Sequence, residues 1–188
     1  MRHWIGIFAA LALSACGQSD DASVAQNGCT RTATHDVAWS RTDAPDVITT
    51  SSQGPTCAQA VVTFVARDAS GNALWAFSST YYDLVVGGEP PEDAPEVTVE
   101  QMDTFLRGWA DVTVSRTSTL PEWRAAAATL TESASVFAYD TPFERETYEM
   151  LRQRDLTTIC YAAAAEATQC LIIDPVSQSP TMIVAYGP

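Results

Sequence analysis

The side chains in this chain that could carry chemistry include cysteine, histidine, arginine and the carboxylates. There are five cysteines, Cys16, Cys29, Cys57, Cys160 and Cys170, and two histidines, His3 and His35. No Cys-x-x-Cys pair occurs, and thiolate zinc sites favour ligands two to four residues apart, so neither a redox dithiol nor a metal centre is expected. All ten basic residues are arginine. Without lysine, a Walker-type phosphate loop, a Schiff base and a lysine general base are excluded. A serine nucleophile would need His35 as its base, and no G-x-S-x-G elbow is present. His35 stands beside Asp36 in an irregular, threonine-rich stretch. Carboxylates are plentiful, and a glycosidase needs only two of them, but no spacing singles out a pair. No cofactor is called for.

The charge balance bears on partners. Ten arginines against 23 acidic residues give a formal net charge of −13. Such a surface repels nucleic acid and anionic lipid, whose binding depends on neutralising cations, so no nucleic-acid or nucleotide partner is expected and a basic partner is favoured. The plainer reading is that acidity keeps the domain soluble.

Arg2 and His3 form a short basic head to an apolar run from Trp4 to Leu13. As a helix that run would span about 15 Å, half of a hydrocarbon core of about 30 Å, so it reads as an export signal rather than a permanent span. It ends in Leu13-Ser14-Ala15-Cys16, which resembles the lipobox of bacterial lipoproteins. The resemblance covers residues 1–16 and implies cleavage before Cys16 and attachment of diacylglycerol to its thiol. It also implies acylation of the new amino terminus, which together anchors the chain stably. Gly17 stands where aspartate would signal retention at the inner membrane in the enterobacterial sorting rule, so by analogy the outer membrane, facing the periplasm, is expected. Loss of residues 1–15 would remove one arginine and leave a net charge of −14.

Export to an oxidising compartment makes the four remaining cysteines an even set, and two disulfides follow as the default. Of three connectivities the local one is preferred, Cys29 with Cys57 and Cys160 with Cys170. The second pair is symmetric about Ala165, as opposed residues of a hairpin would be, and cross-strand neighbours have a Cα separation of about 4.5 to 5.5 Å that a disulfide accepts.

The elements that must position these residues can be read in order. Residues 16–28 hold the lipid and a small, polar tether that reaches at most about 40 Å. One irregular strand is expected near residues 37–40, with Val37, Trp39, Val47 and Ile48 as buried points. Residues 58–82 alternate with period 2 on either side of a turn at 68–72, which predicts a β-hairpin sending Trp75 and Phe77 to one face. That turn lacks the D-x-[DN]-x-[DN]-G spacing of a calcium loop. Residues 87–96 read as an exposed, proline-stiffened acidic loop, either merely solvated or able to gather a cation.

Thr98 and Gln101 form a capping box for a helix over residues 99–110 whose stripe is Val99, Met102, Phe105, Leu106 and Trp109. A strand is expected over 111–116. Thr119 and Glu122 suggest a second capping box and, with Ala125 to Ala128, a helix over 120–130. A short strand is expected at 135–139. Thr141-Pro142-Phe143-Glu144 predicts a helix over 142–154, with Phe143, Thr147, Met150 and Leu151 facing inward and Arg145 paired with Glu149. Arg145, Arg152 and Arg154 form the one basic cluster, open to an anion or simply serving the helix. Residues 157–187 read as a three-stranded meander, although residues 162–167 have helical composition.

The expected architecture is therefore α+β: an antiparallel sheet made of the hairpin and the meander, packed with two or three helices, in a single periplasmic domain over 29–188. The function expected is a non-catalytic binding or envelope-accessory lipoprotein. Two alternatives stand beside it: an inhibitor of a basic enzyme such as lysozyme, and a carboxylate-based hydrolase acting on cell-wall polymer.

Overall fold

The computed structural model describes residues 28–41, 43–90, 92–133 and 137–188 of the 188-residue chain. The expected leader, Cys16 and the expected tether up to residue 27 lie outside the described residues, as do Ser135 and Val136 of the expected strand at 135–139.

The chain opens with β1 (Arg31–Val37), β2 (Asp46–Gln53), β3 (Val61–Arg67) and β4 (Ala73–Thr80), which pair in sequence order as one antiparallel sheet. Then come α1 (Tyr81–Val85), α2 (Val99–Ala110), β5 (Thr113–Arg116), α3 (Leu130–Ser133), β6 (Ala138–Asp140) and α4 (Arg145–Gln153). The chain closes with β7 (Thr157–Ala164), β8 (Ala167–Ile173) and β9 (Pro180–Gly187), and the second antiparallel sheet has the order β5-β7-β8-β9-β6. The α+β class stands, with strands dominating. The expected hairpin and meander are present, but in two sheets rather than one. They meet face to face: Tyr161 of β7 stacks on Phe64 of β3, with ring centroids 4.6 Å apart.

The β3–β4 hairpin follows its alternation. Val62, Phe64 and Ala66 are buried, while Trp75 and Phe77 share the inner face of β4. Asp68 builds the turn by accepting from the backbone N–H groups of Ser70 at 2.9 Å and Asn72 at 2.8 Å, with Gly71 at φ +85°. The Asn72 side-chain amide, followed by those N–H groups, holds the Asp68 carboxyl below its ordinary pKa.

The strand expected near 37–40 is instead two longer strands on either side of a bend. The inward positions of β2 are Asp46, Ile48, Thr50 and Ser52, so three of the four are polar and no apolar period betrays it. Tertiary bonds satisfy that face. Asp46 accepts from Ser40 N–H at 2.5 Å and Ser40 Oγ at 2.6 Å, Thr50 donates to the Leu106 carbonyl at 2.9 Å, and Ser52 donates to the Cys29 carbonyl at 3.2 Å.

α2 begins at its capping box, Thr98 Oγ1 accepting from Gln101 N–H at 3.2 Å and Gln101 Oε1 from Thr98 N–H at 2.8 Å. α2 packs on β1 and β2 and buries Met102, Leu106 and Trp109, the last against Phe64 of β3 and Phe77 of β4, whereas Val99 remains exposed. The helix expected over 120–130 does not form. A 3₁₀ turn at Thr117–Thr119 precedes an irregular stretch, and only Leu130–Ser133 is helical. Its backbone is claimed by α4 instead: the carbonyls of Leu120, Pro121 and Ala125 accept from Arg152, Tyr148 and Arg145, and Glu149 accepts from Trp123 N–H.

α4 starts at Arg145, later than its sequence signal. Thr141 Oγ1 accepts from Phe143 N–H at 3.4 Å and donates to the Ile183 carbonyl of β9 at 2.7 Å, so it sits in a turn ahead of the helix. Tyr148 and Leu151 are its buried residues, and Met150, expected inside, is 41% exposed. The expected pairing of Arg145 with Glu149 is replaced by Arg145 to Ala125 and by Glu149 with Arg152 at 3.4 Å.

Residues 162–167 are not a helix: Ala162 to Ala164 continue β7, Ala165 and Glu166 make the tight turn, and Ala167 begins β8. Gly187 packs onto that turn so closely that a Cβ there would lie 2.5 Å from the Glu166 carbonyl. Apolar residues fill both faces of the second sheet: Ile159, Tyr161 and Leu171 face the first sheet and α2, while Cys170, Ile172 and Val184 pack on the other side with Tyr148 and Leu151 of α4.

Candidate functional site

The structure joins Cys29 to Cys57 and Cys160 to Cys170, with Cα separations of 4.8 and 4.1 Å. Cys160 and Cys170 are directly opposed in the β7–β8 register. All four described cysteines are therefore occupied as crosslinks. His35 lies on β1, with its Nε2 3.5 Å from Asp111 Oδ1 and both side chains largely exposed. Among the described residues, no group of three or more His, Cys, Asp or Glu side chains is placed to hold a metal ion.

Two of the three clustered arginines are spent on structure, while Arg154 lines the adjoining hollow. Arg145 and Arg152 donate to the carbonyls of Ala125 and Leu120 at 2.9 and 3.0 Å, which leaves the neighbouring hollow of about 770 Å³ lined by glutamates as well as arginines. The acidic loop borders a smaller hollow of about 530 Å³ beside Thr56 and Gln59.

An open groove of about 820 Å³ is bounded by α1, α2, residues 111–113 and the edge of β7. Each boundary has a local cause. Thr80 starts α1 by accepting from Asp83 N–H, which turns Tyr81 and Val85 toward α2. The capping box fixes where α2 starts, and its helical spacing sets Phe105 and Trp109 one turn apart on the groove side.

The aromatic wall is continuous. Tyr81 meets Phe105 edge-on at 5.0 Å and Phe105 stacks on Trp109 at 5.6 Å, and behind the groove Trp109 continues into the core on Phe64 at 5.6 Å and Phe77 at 6.2 Å. Offset and edge-to-face pairs of this kind add stability beyond their buried area. The polar tips of the deepest rings are already satisfied. Trp75 Nε1–H donates to Tyr161 OH at 3.0 Å, Tyr161 OH donates to Gln169 Oε1 at 2.8 Å, and Trp109 Nε1–H donates to the Ala162 carbonyl at 2.9 Å. Burial raises the pKa of Tyr161 and of Tyr81 at the rim, so both phenols are neutral in the physiological range. The wall thus supplies rigid apolar surface rather than an acid or base.

Charge enters at the two ends. Glu100 in the first turn of α2 and Asp111 at its carboxyl cap line the groove with Thr113 and Thr104, whose hydroxyl donates to the Glu100 carbonyl at 2.8 Å and accepts from Arg107 at 3.2 Å. Eleven residues of helix separate the two carboxylates, about 16 Å at 1.5 Å per residue. The carboxyl pairs of glycosidases lie about 5 to 9.5 Å apart. Arg31 is held on another side of α2 by a bidentate pair with Asp103, at 2.7 and 2.6 Å, which lowers the Asp103 pKa.

Sequence reasoning placed Phe105 and Trp109 on an inward stripe and treated them as core. It did not single out Tyr81, Tyr161, Glu100 or Asp111, because only the approach of β7 to α1 and α2 makes them neighbours. No family model matches the chain, and neither the curated proteins nor the solved structures include a significant match to it.

Proposed function

We propose that the mature protein is an exported lipoprotein, anchored through Cys16 to the outer membrane and facing the periplasm, that holds a partner non-catalytically in the groove between α1, α2 and β7. The observation that carries this reading is the continuous aromatic wall with a carboxylate at either end. Concave sites lined by aromatic side chains with a few convergent polar groups are the usual form of a binding site. The separation of Glu100 from Asp111 favours recognition over hydrolysis, since two carboxylates about 16 Å apart cannot flank one glycosidic bond. Inhibition of a basic enzyme is one form such binding would take, because complementary charge speeds capture.

The test is site-specific photo-crosslinking in the native envelope. A photoreactive residue at Thr104 in the groove is compared with one at Ala76 on the exposed face of β4. A discrete adduct from Thr104 alone is expected. Equal adducts from both sites, or none from Thr104, would overturn the assignment.

A further inference from the structure

We infer that the outward face of the first sheet receives a second copy of this chain, the two sheets meeting face to face while both copies are anchored in one membrane. The inference rests on the Cys16 anchor proposed above and is independent of what fills the groove, which lies on the side of that sheet covered by α2.

The first observation is charge. The chain carries a net charge of −13, so two copies repel over most of their surface. The positions of β1, β2 and β3 that point away from α2 are exposed or half-buried. They hold one acid, Asp36, one base, Arg67, and otherwise only threonine, serine, valine and glutamine. This face is therefore neutral within an acidic molecule. Among the described residues no ion pair engages Asp36 or Arg67, and Arg67 donates to the Gly71 carbonyl at 3.1 Å.

The second is register. Asp36 pairs with Val47 and Val47 with Arg67, so the two charges end one row across β1, β2 and β3. A twofold axis lying along β2, midway between two stacked sheets, carries β1 of one copy over β3 of the other. Asp36 then faces Arg67 twice, while Val47 and Thr49 face their own counterparts, as an isologous contact requires. Stacked sheets lie about 10 Å apart, a gap that an arginine and an aspartate span together. A twofold axis across the strands would instead set both charges against the uncharged row of Gln53 and Val61. In the charge-matched arrangement β4 projects beyond the partner's β1, which leaves Ala76 outside the overlap.

The third is where the chain enters. Cys29 N–H donates to the Gly54 carbonyl and Arg31 pairs with Ser52, so the amino-terminal segment joins the sheet at the end opposite the Asp36 row. An axis parallel to the strands keeps both entry points at one end, where two anchors reach one leaflet. The overlap of three strands of about seven residues has a footprint of about 300 Å² per copy, under half of the roughly 800 Å² of a standard interface. Such a contact is weak in free solution and gains from the local concentration that shared anchorage supplies.

The test uses the full lipidated chain in phosphatidylcholine vesicles with one added thiol, either Thr49→Cys on the axis or Val176→Cys in the exposed β8–β9 turn. The four described cysteines are disulfide-bonded, so a bis-maleimide of about 10 Å span reads the added thiol. A covalent dimer is expected through Thr49→Cys and not through Val176→Cys. In the Thr49→Cys background, Asp36→Arg or Arg67→Asp alone should lower the yield about threefold to tenfold, the range for two exposed ion pairs. Mixing these two variants should restore it, because every facing pair then joins opposite signs. Both side chains are exposed, so the variants are expected to fold, and recovery in the mixture shows that they have. Equal yields from the two thiols, no loss on charge reversal, or no recovery in the mixture would overturn the inference. A chain that carries fatty-acid label at Cys16 but forms no dimer loses this inference and keeps its anchor. One without label loses both.

Discussion

Buried polar groups set much of the local structure. Tyr148 is fully buried between α4 and the irregular stretch before α3, and its hydroxyl donates to the Pro121 carbonyl at 2.8 Å. Thr117, also fully buried, donates to the carbonyls of Leu151 and Arg152 and accepts from Leu156 N–H. These bonds hold a segment that has no regular hydrogen bonding of its own. Burial pushes the Tyr148 pKa well above its ordinary value of 10.0. A raised pKa means that the native state keeps its proton longer than the unfolded chain does. The associated stability is complete below pH of about 10 and declines as pH rises beyond it. Tyr148→Phe is expected to cost about 1 kcal/mol near neutral pH through the lost hydrogen bond. It should also make the alkaline decline shallower without abolishing it, since Tyr161 is raised by burial too. Urea unfolding of both proteins at neutral pH and near pH 11 checks the two effects together.

Among the elements, those with complete local signals are the ones legible in the sequence. The β3–β4 hairpin carries alternation and turn chemistry within one stretch, and α2 carries its capping box and stripe. The stretch over 120–129 has strong helix formers, but its carbonyls are bound by side chains of α4, whose long-range bonds and packing outweigh a propensity of a few tenths of a kcal/mol per residue. β2 was illegible for the opposite reason, since its buried face alternates polar residues that only tertiary partners satisfy.

The disulfides tie elements of different reach. Cys29–Cys57 closes a separation of 28 residues and Cys160–Cys170 one of 10. Chain-entropy reasoning assigns them about 3.6 and about 2.7 kcal/mol respectively. Paired replacement by alanine should therefore destabilise the protein more at Cys29 and Cys57, as read from urea midpoints. The reverse order would show that native-state packing around the β7–β8 hairpin outweighs loop closure.

At the scale of the whole molecule, one apolar core joins the two sheets through α2, and a second lies between the meander sheet and α4. The groove opens where the first core reaches the surface, at the place where β5 stops short of the full length of β7. The lipid anchor proposed at Cys16 would hold this groove within tether reach of the membrane, about 40 Å at full extension. Metabolic labelling with a fatty acid should mark the wild-type protein and not Cys16→Ala, and label retained by the variant would remove the anchor from the account.

The sequence by itself determined the local elements, namely the hairpin, α2 and the strands of the meander, together with the pairing of Cys29 with Cys57 and Cys160 with Cys170. Period, caps and turn residues act over a few positions, so a linear reading suffices for them. The tertiary structure alone decided that hairpin and meander form separate sheets, that residues 120–129 stay irregular, and that Tyr81, Phe105, Trp109 and Tyr161 gather beside Glu100 and Asp111. Those outcomes depend on contacts between residues far apart in the chain, whose energies exceed the local preferences and leave no periodic trace in the sequence.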